Sequence, residues 1–219
     1  MKQKNKKDLT GGLYLVADPS MDKKELLYKL DEALFAGVQV VQIWNHWPSS
    51  FDRVQKEKLI SEVMALARPY GSPVLINEEW ELLKTTDLDG VHFDKVPADI
   101  GKIREALHRD FILGITCSND LEIIRWANQK RADYISFCSM FPSSSAGSCE
   151  IVDAQTVKKA REITDLPLFV SGGITPENLP ELTELPISGV AVISGILGSE
   201  SPGKNTEAYK KQITRLFNI

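Results

Sequence analysis

No feature of this chain constrains its fold more than the regular exchange of strand-like for helix-like segments. Short β-branched and aliphatic runs cover residues 12–17, 38–44, 73–77, 90–93, 111–116 and 133–138, and two more begin at Leu168 and Gly189. Between and after them lie segments with helical spacing or helix-opening residues. The first, 23–35, puts Leu26, Leu27, Leu30 and Leu34 at helical intervals and stops at Gly37. The others are 52–68, a short stretch through Trp80, Leu82 and Leu83, then 98–108, 120–129, 153–163, 176–183 and 207–217. Strands separated by helices predict parallel pairing, because a parallel strand needs a long crossover connection. Eight such units in succession predict an α/β protein, a single-domain (β/α)8 TIM barrel. The competing doubly wound sheet carries a glycine fingerprint after its first strand; here that position reads Ala17-Asp18-Pro19-Ser20. No linker or shift in composition divides the chain. The barrel is therefore assigned to residues 11–219, behind a basic tail at residues 1–10 that is expected to be flexible.

Composition narrows the function. A net charge of −4 offers no basic surface to nucleic acid or to an anionic membrane. No apolar run approaches the roughly 20 residues of a membrane span, and the basic start is not followed by the apolar stretch of a signal peptide. Three cysteines without close spacing suit a reduced, cytoplasmic protein rather than a disulfide framework. An arrangement as a homo-oligomer stays open.

In a barrel of this kind the chemistry sits at the C-terminal ends of the strands, and the turns after strands seven and eight form a phosphate site. Both turns are rich in small residues here: Ser171-Gly172-Gly173-Ile174 and Ile193-Ser194-Gly195. Glycine lets a backbone approach an anion, and amides at a helix N-terminus point at it. Each turn alone would pass as a tight turn; two in succession predict a small phosphorylated ligand. The other strand ends supply Asp18, Gln42, Trp44, Asn45, His46, Asn77, Glu78, Asp94, Thr116 and Cys138, mostly neutral hydrogen-bonding groups. His46, beyond strand two, is the candidate for proton transfer, while His92, between Val91 and Phe93, reads as a packed core residue. No metal motif stands out. Glu78 and Asp94 are the carboxylates placed to share a Mg²⁺ with ligand phosphate oxygens, although Glu78 and Glu79 also suit the start of a helix. Cys117 and Cys138 lie near strand ends without a paired base. The long connection 139–150, rich in serine and glycine, is expected to be mobile and to close over a ligand.

In order and spacing, several stretches resemble the thiamine phosphate synthase family and its thiazole tautomerase (TenI-like) branch. They are Leu13-Tyr14-Leu15-Val16-Ala17-Asp18, Val41-Gln42, Ile76-Asn77, Asp89-Gly90-Val91-His92, Gly114-Ile115-Thr116, Ala132-Asp133-Tyr134-Ile135, Phe141-Pro142-Ser143, Ser171-Gly172-Gly173-Ile174 and Gly189-Val190-Ala191-Val192-Ile193-Ser194. The resemblance implies a barrel that joins a pyrimidine pyrophosphate to a thiazole phosphate with Mg²⁺. It implies ligand contacts at Gln42, Asn77, Thr116, Ser143, Ser145, Gly172, Gly173, Ile193 and Ser194, and a metal contact at Glu78, with Asp94 the nearby carboxylate that could stand in for the second metal ligand. The chain also departs from the family. A basic pair with an acid between them is replaced by Trp44, Asn45 and His46, and an Asp-then-Arg pair by Glu78 and Glu79. A second metal ligand falls on Pro97, a phosphate-holding lysine on Ala146, and the tautomerase histidine on Ser118.

Departure of pyrophosphate needs positive charge where negative charge develops, and one such donor is typically worth about 2.7–4 kcal/mol. The expectation is therefore a thiazole-phosphate-binding barrel of transferase lineage with an eroded pyrophosphate site. The alternatives are a non-catalytic or regulatory binding barrel, or a TenI-like tautomerase. If the register of the resemblance slips, Lys95 or Lys102 is placed to substitute for the lost cations.

Overall fold

The computed structural model describes residues 9–143 and 150–217. Eight parallel strands close in sequence order into one barrel. They are β1 (Gly12–Ala17), β2 (Val40–Ile43), β3 (Val74–Asn77), β4 (Gly90–Phe93), β5 (Ile112–Thr116), β6 (Tyr134–Cys138), β7 (Leu168–Ser171) and β8 (Gly189–Val192). Around them run α1 (Lys23–Ala36), α2 (Arg53–Ala67), α3 (Ile100–Leu107), α4 (Leu121–Gln129), α5 (Ala154–Ile163), α6 (Ser194–Leu197) and α7 (Pro202–Phe217). The expected barrel is present.

Local chemistry accounts for the element ends. Each of α1 to α5 starts behind an aspartate whose side chain accepts first-turn amides: Asp22, Asp52, Asp99, Asp120 and Asp153. The N-terminal rim of the barrel is pinned in a repeating way. The side chain before each even-numbered strand accepts an N–H at or next to the start of the preceding odd-numbered one. Gln39 takes the amide of Leu13 at 2.6 Å, Asp89 that of Val74 at 2.9 Å, Asp133 that of Leu113 at 2.7 Å and Ser188 that of Leu168 at 3.1 Å.

Two expectations need correction. No α-helix follows β7: the segment expected at 176–183 is a loop ending in a single 3₁₀ turn, Leu179–Leu182. Two prolines in that segment, Pro176 and Pro180, each remove a helix donor. The last helix begins at Pro202, not at residue 207, since proline is accommodated in a first turn.

Strand residues alternate between two apolar layers. One face packs against the helices; the other fills the barrel with Tyr14, Val40, Leu75, Ile112, Tyr134, Phe169 and Ala191, joined at the N-terminal end by Leu9. Leu9 and Thr10, within the tail expected at residues 1–10, are thus among the described residues, and Leu9 packs into the barrel. The remainder of the expected tail, residues 1–8, lies outside the described residues, as do residues 144–149 of the long connection. Gly114 is required inside the barrel, because a Cβ there would meet the Tyr134 ring. Residues 139–141, at the front of the expected mobile connection, are packed instead. Ser139 is buried, Met140 N–H donates to Ser171 O at 2.8 Å, and Phe141 N–H to Gly172 O at 3.1 Å.

Candidate functional site at the mouth of the barrel

Above the aromatic layer, at the C-terminal ends of the strands, lies a cavity of ≈ 420 Å³, a size suited to a small ligand. Its floor is a continuous chain of hydrogen bonds. Tyr14 Oη donates to Gln42 Oε1 at 2.5 Å and lies 2.9 Å from Tyr134 Oη. Tyr134 Oη is 2.8 Å from His92 Nδ1. The other ring nitrogen, Nε2, is 2.9 Å from Thr116 Oγ1, which is 3.1 Å from Ser136 Oγ.

Counting protons fixes the direction of this chain. Each hydroxyl has one hydrogen. Tyr14 gives its own to Gln42, so Tyr134 must give its own to Tyr14 and accept from His92 Nδ1–H. Burial pushes the His92 imidazole down to about 4, against a smaller opposing pull from Asp94. It is neutral at physiological pH, so Nε2 carries no proton and accepts from Thr116, which in turn accepts from Ser136. Burial drives both phenols well above the ordinary tyrosine range, so they stay protonated. Histidine 92 is buried, as expected, but it is also a cavity-lining group in a fixed tautomer.

Charge is sparse on the cavity wall. Among the described lining residues only Asp94 and Lys95, adjacent at the end of β4, carry it. Lys102 lines a different groove and pairs with Asp99 at 3.7 Å. Glu79, where the resemblance places an arginine, is absent from this wall, lines the same separate groove as Lys102 and is neutralised: Lys56 Nζ lies 2.7 Å and 3.0 Å from its two oxygens. The same ammonium sits 5.1 Å from the Trp47 ring centroid.

The structure brings Gln42, Asn77, Thr116, Ser143, Gly172, Ile193 and Ser194 together on the cavity wall. Gly173 is not on it, and Ser145 lies outside the described residues. Buried Asn77 donates through Nδ2 to His92 O at 3.3 Å, while its Oδ1 has no partner. That orphan acceptor asks for a donor from a ligand. Gly172 and Gly173 have φ of 88° and 64°. A Cβ on Gly172 would strike Ser139, and one on Gly173 would come within 2.8 Å of Phe141 Cβ. These glycines therefore serve the close passage of the β6 connection first. With no helix behind them, helical amides come only from the short α6, which opens at Ser194.

His46 stands outside the cavity with Nδ1 3.2 Å from Asp18 Oδ1. Glu78 occupies a left-handed backbone conformation, φ 61°, which is uncommon for a residue with a side chain. Its Oε1 accepts the Asp94 amide at 2.6 Å. Burial, and then the negative charge of Asp94, raise the Glu78 carboxyl above the usual range. Among the described residues no group of three His, Cys, Asp or Glu converges as a metal cage. The donor set, one carboxylate on the wall and a second with an oxygen already engaged, fits Mg²⁺ only where ligand phosphate oxygens complete the shell. Burial raises the thiol of Cys117 far above its ordinary value, which removes it as a nucleophile. Ser118, at the tautomerase position, donates to Cys138 O at 2.9 Å.

Sequence reasoning missed Tyr14 and Tyr134. The available signal was phase: Tyr14 shares the inward face of its strand with Val16 of the cavity wall, and Tyr134 with Ser136 and Cys138.

No helix among the described residues is long and apolar enough to cross a membrane. A family profile described as thiamine monophosphate synthase matches residues 13–196. The thiamine-phosphate synthase of Alkaliphilus oremlandii is 32% identical over 205 residues, covering 92% of this chain and 95% of that protein. That of Clostridium tetani is 31% identical over 215 residues, covering 97% and 98%. The thiamine phosphate pyrophosphorylase structure from Pyrococcus furiosus superposes with a TM-score of 0.79 at 23% identity, over 94% of this chain and 96% of its own. That last likeness speaks for the fold.

Proposed function

This chain belongs to the thiamine monophosphate synthase family, and we propose that it binds a thiazole-phosphate-like ligand while transferring pyrophosphate-linked groups weakly or not at all. Ile193, Ser194 and the turn at Gly172 take the phosphate, with α6 amides directed at it. Gln42, Asn77 and Thr116 face the rest of the ligand. Because Gln42 Oε1 accepts from Tyr14, its amide nitrogen is left as a donor, whereas Asn77 Oδ1 is left as an acceptor.

The observation that carries the second half of this reading is the near-neutral wall. A departing pyrophosphate needs several aligned positive groups. The described lining offers Lys95 alone, beside Asp94, and Lys56 is held by Glu79 on the outer side. Asp94 and Glu78 would hold Mg²⁺ together with phosphate oxygens, and the metal would supply Lewis-acid stabilisation of the leaving group. His46, held by Asp18 at the rim, is the remaining candidate for proton transfer. A non-catalytic or regulatory binding barrel is the second reading, favoured by the same neutrality.

A coupled assay with purified protein, the pyrimidine pyrophosphate, the thiazole phosphate and Mg²⁺ tests the proposal. Turnover in the ordinary enzyme range of about 1–10³ per second overturns the claim of an eroded site. Absent turnover with measurable thiazole phosphate binding supports it.

A further inference from the structure

One wall of the cavity is an indole held from behind. Trp44 follows β2 two residues after Gln42, is half-buried, and lines the cavity. Its backbone amide is tied to the neighbouring strand, donating to Ala17 O at 2.9 Å. Its ring lies 4.9 Å from the His46 ring at an interplanar angle of 49°. His46 Nδ1 is in turn 3.2 Å and 3.4 Å from the two oxygens of Asp18, at the end of β1. Carboxylate, imidazole and indole thus form a short chain of contacts, a hydrogen bond followed by a tilted ring pair, leading from the rim to the cavity wall. The floor of the same cavity is aromatic as well: Phe169 meets Tyr14 and Tyr134 at centroid separations of 5.6 Å and 5.4 Å. A half-exposed indole fixed in this way offers a large apolar face with little freedom left to lose.

We propose that Trp44, positioned by Asp18 through His46, selects a planar heteroaromatic ring in the ligand of this cavity by stacking on it. This rests on the reading above that the cavity takes a phosphorylated ligand. Trp44 makes the direct contact and sets specificity; His46 and Asp18 are positioning residues. Stacking of a flat ring on an aromatic side chain is typically worth about 1–3 kcal/mol, equivalent to roughly 5- to 150-fold in affinity.

Calorimetry on the full-length protein with two probes tests the proposal: the thiazole phosphate, and ethyl phosphate as a ring-free control. Trp44→Leu should weaken the thiazole phosphate by roughly 10-fold or more and leave ethyl phosphate unchanged. Trp44→Phe should keep most of the affinity. Quenching of indole fluorescence by the thiazole phosphate should disappear in Trp44→Phe, although the other three tryptophans remain. His46→Ala should weaken thiazole phosphate binding in the parent background and have no further effect in the Trp44→Leu background. An equal His46→Ala loss in both backgrounds overturns the positioning role. Equal affinity of the parent and Trp44→Leu for the thiazole phosphate overturns stacking while leaving the phosphate reading intact. Failure of the parent to bind either probe overturns both.

Discussion

Replacing His92 by glutamine should flatten the acid limb of the stability profile, by an amount the barrel interior sets. In the folded protein the imidazole is buried between Tyr134 and Thr116, and desolvation pulls it from the ordinary 6.5 to about 4. Above pH 6.5 the imidazole is neutral whether the chain is folded or not, so it makes no difference. Between about 6.5 and about 4 the unfolded chain binds a proton that the folded one refuses, and stability falls as the pH falls. Each pH unit across that window costs at most about 1.4 kcal/mol, so the full penalty approaches about 3 kcal/mol near pH 4. Glu78 works in the opposite sense, because its raised carboxyl holds a proton in the folded state to higher pH. That contribution is common to both proteins and cancels in the difference. Glutamine keeps a polar side chain in the floor but has no proton to gain.

The assay is denaturant unfolding of both proteins at a series of pH values from neutral to mildly acidic. The stability difference should narrow on acidification by roughly 3 kcal/mol, even if His92→Gln is the less stable protein at pH 7. Parallel profiles would refute the assignment of a buried neutral His92. A protonated imidazole would also break the one-way order of the chain, since Nε2–H would then donate to Thr116.

The remaining expectations are simpler. Gly172→Ala should lower the melting temperature by several degrees, the effect of about 2 kcal/mol in a chain of this size, because φ is 88° and the new Cβ meets Ser139. Adding Ser139→Gly should recover part of the loss, and an unchanged melting temperature for Gly172→Ala alone would show that the turn can relax. Lys95→Gln should weaken binding of inorganic pyrophosphate and reduce its salt dependence, whereas Lys95→Arg retains both. Identical binding by the parent and Lys95→Gln at every salt concentration would remove Lys95 from the anion site.

Much of the architecture was legible before any coordinates. Hydrophobic periodicity and strand-to-helix alternation are local properties, and eight repeats leave a closed parallel barrel as the consistent outcome. Most of the wall was legible too, because strand ends in such a barrel converge on one face. Gln42, Asn77, Thr116, Ile193 and Ser194 therefore had to be near one another. The segment after β7 was misread because an apolar pattern interrupted by Pro176 and Pro180 supports only a 3₁₀ turn.

Which polar side chains engage one another was a different matter. Glu79 takes the place of a family arginine in the sequence, but only the packing of α2 shows that its charge is met by Lys56 rather than facing the cavity. The same reading left His92 as core, and only the closed barrel brings Tyr134 and Thr116, from β6 and β5, against its two nitrogens. Periodicity determines which face a side chain occupies, so the sequence by itself determined the barrel and the ring of residues at its mouth. Partners, tautomers and net local charge depend on contacts between residues far apart in the chain, such as Tyr14 and Tyr134. Those were decided only when the strands closed.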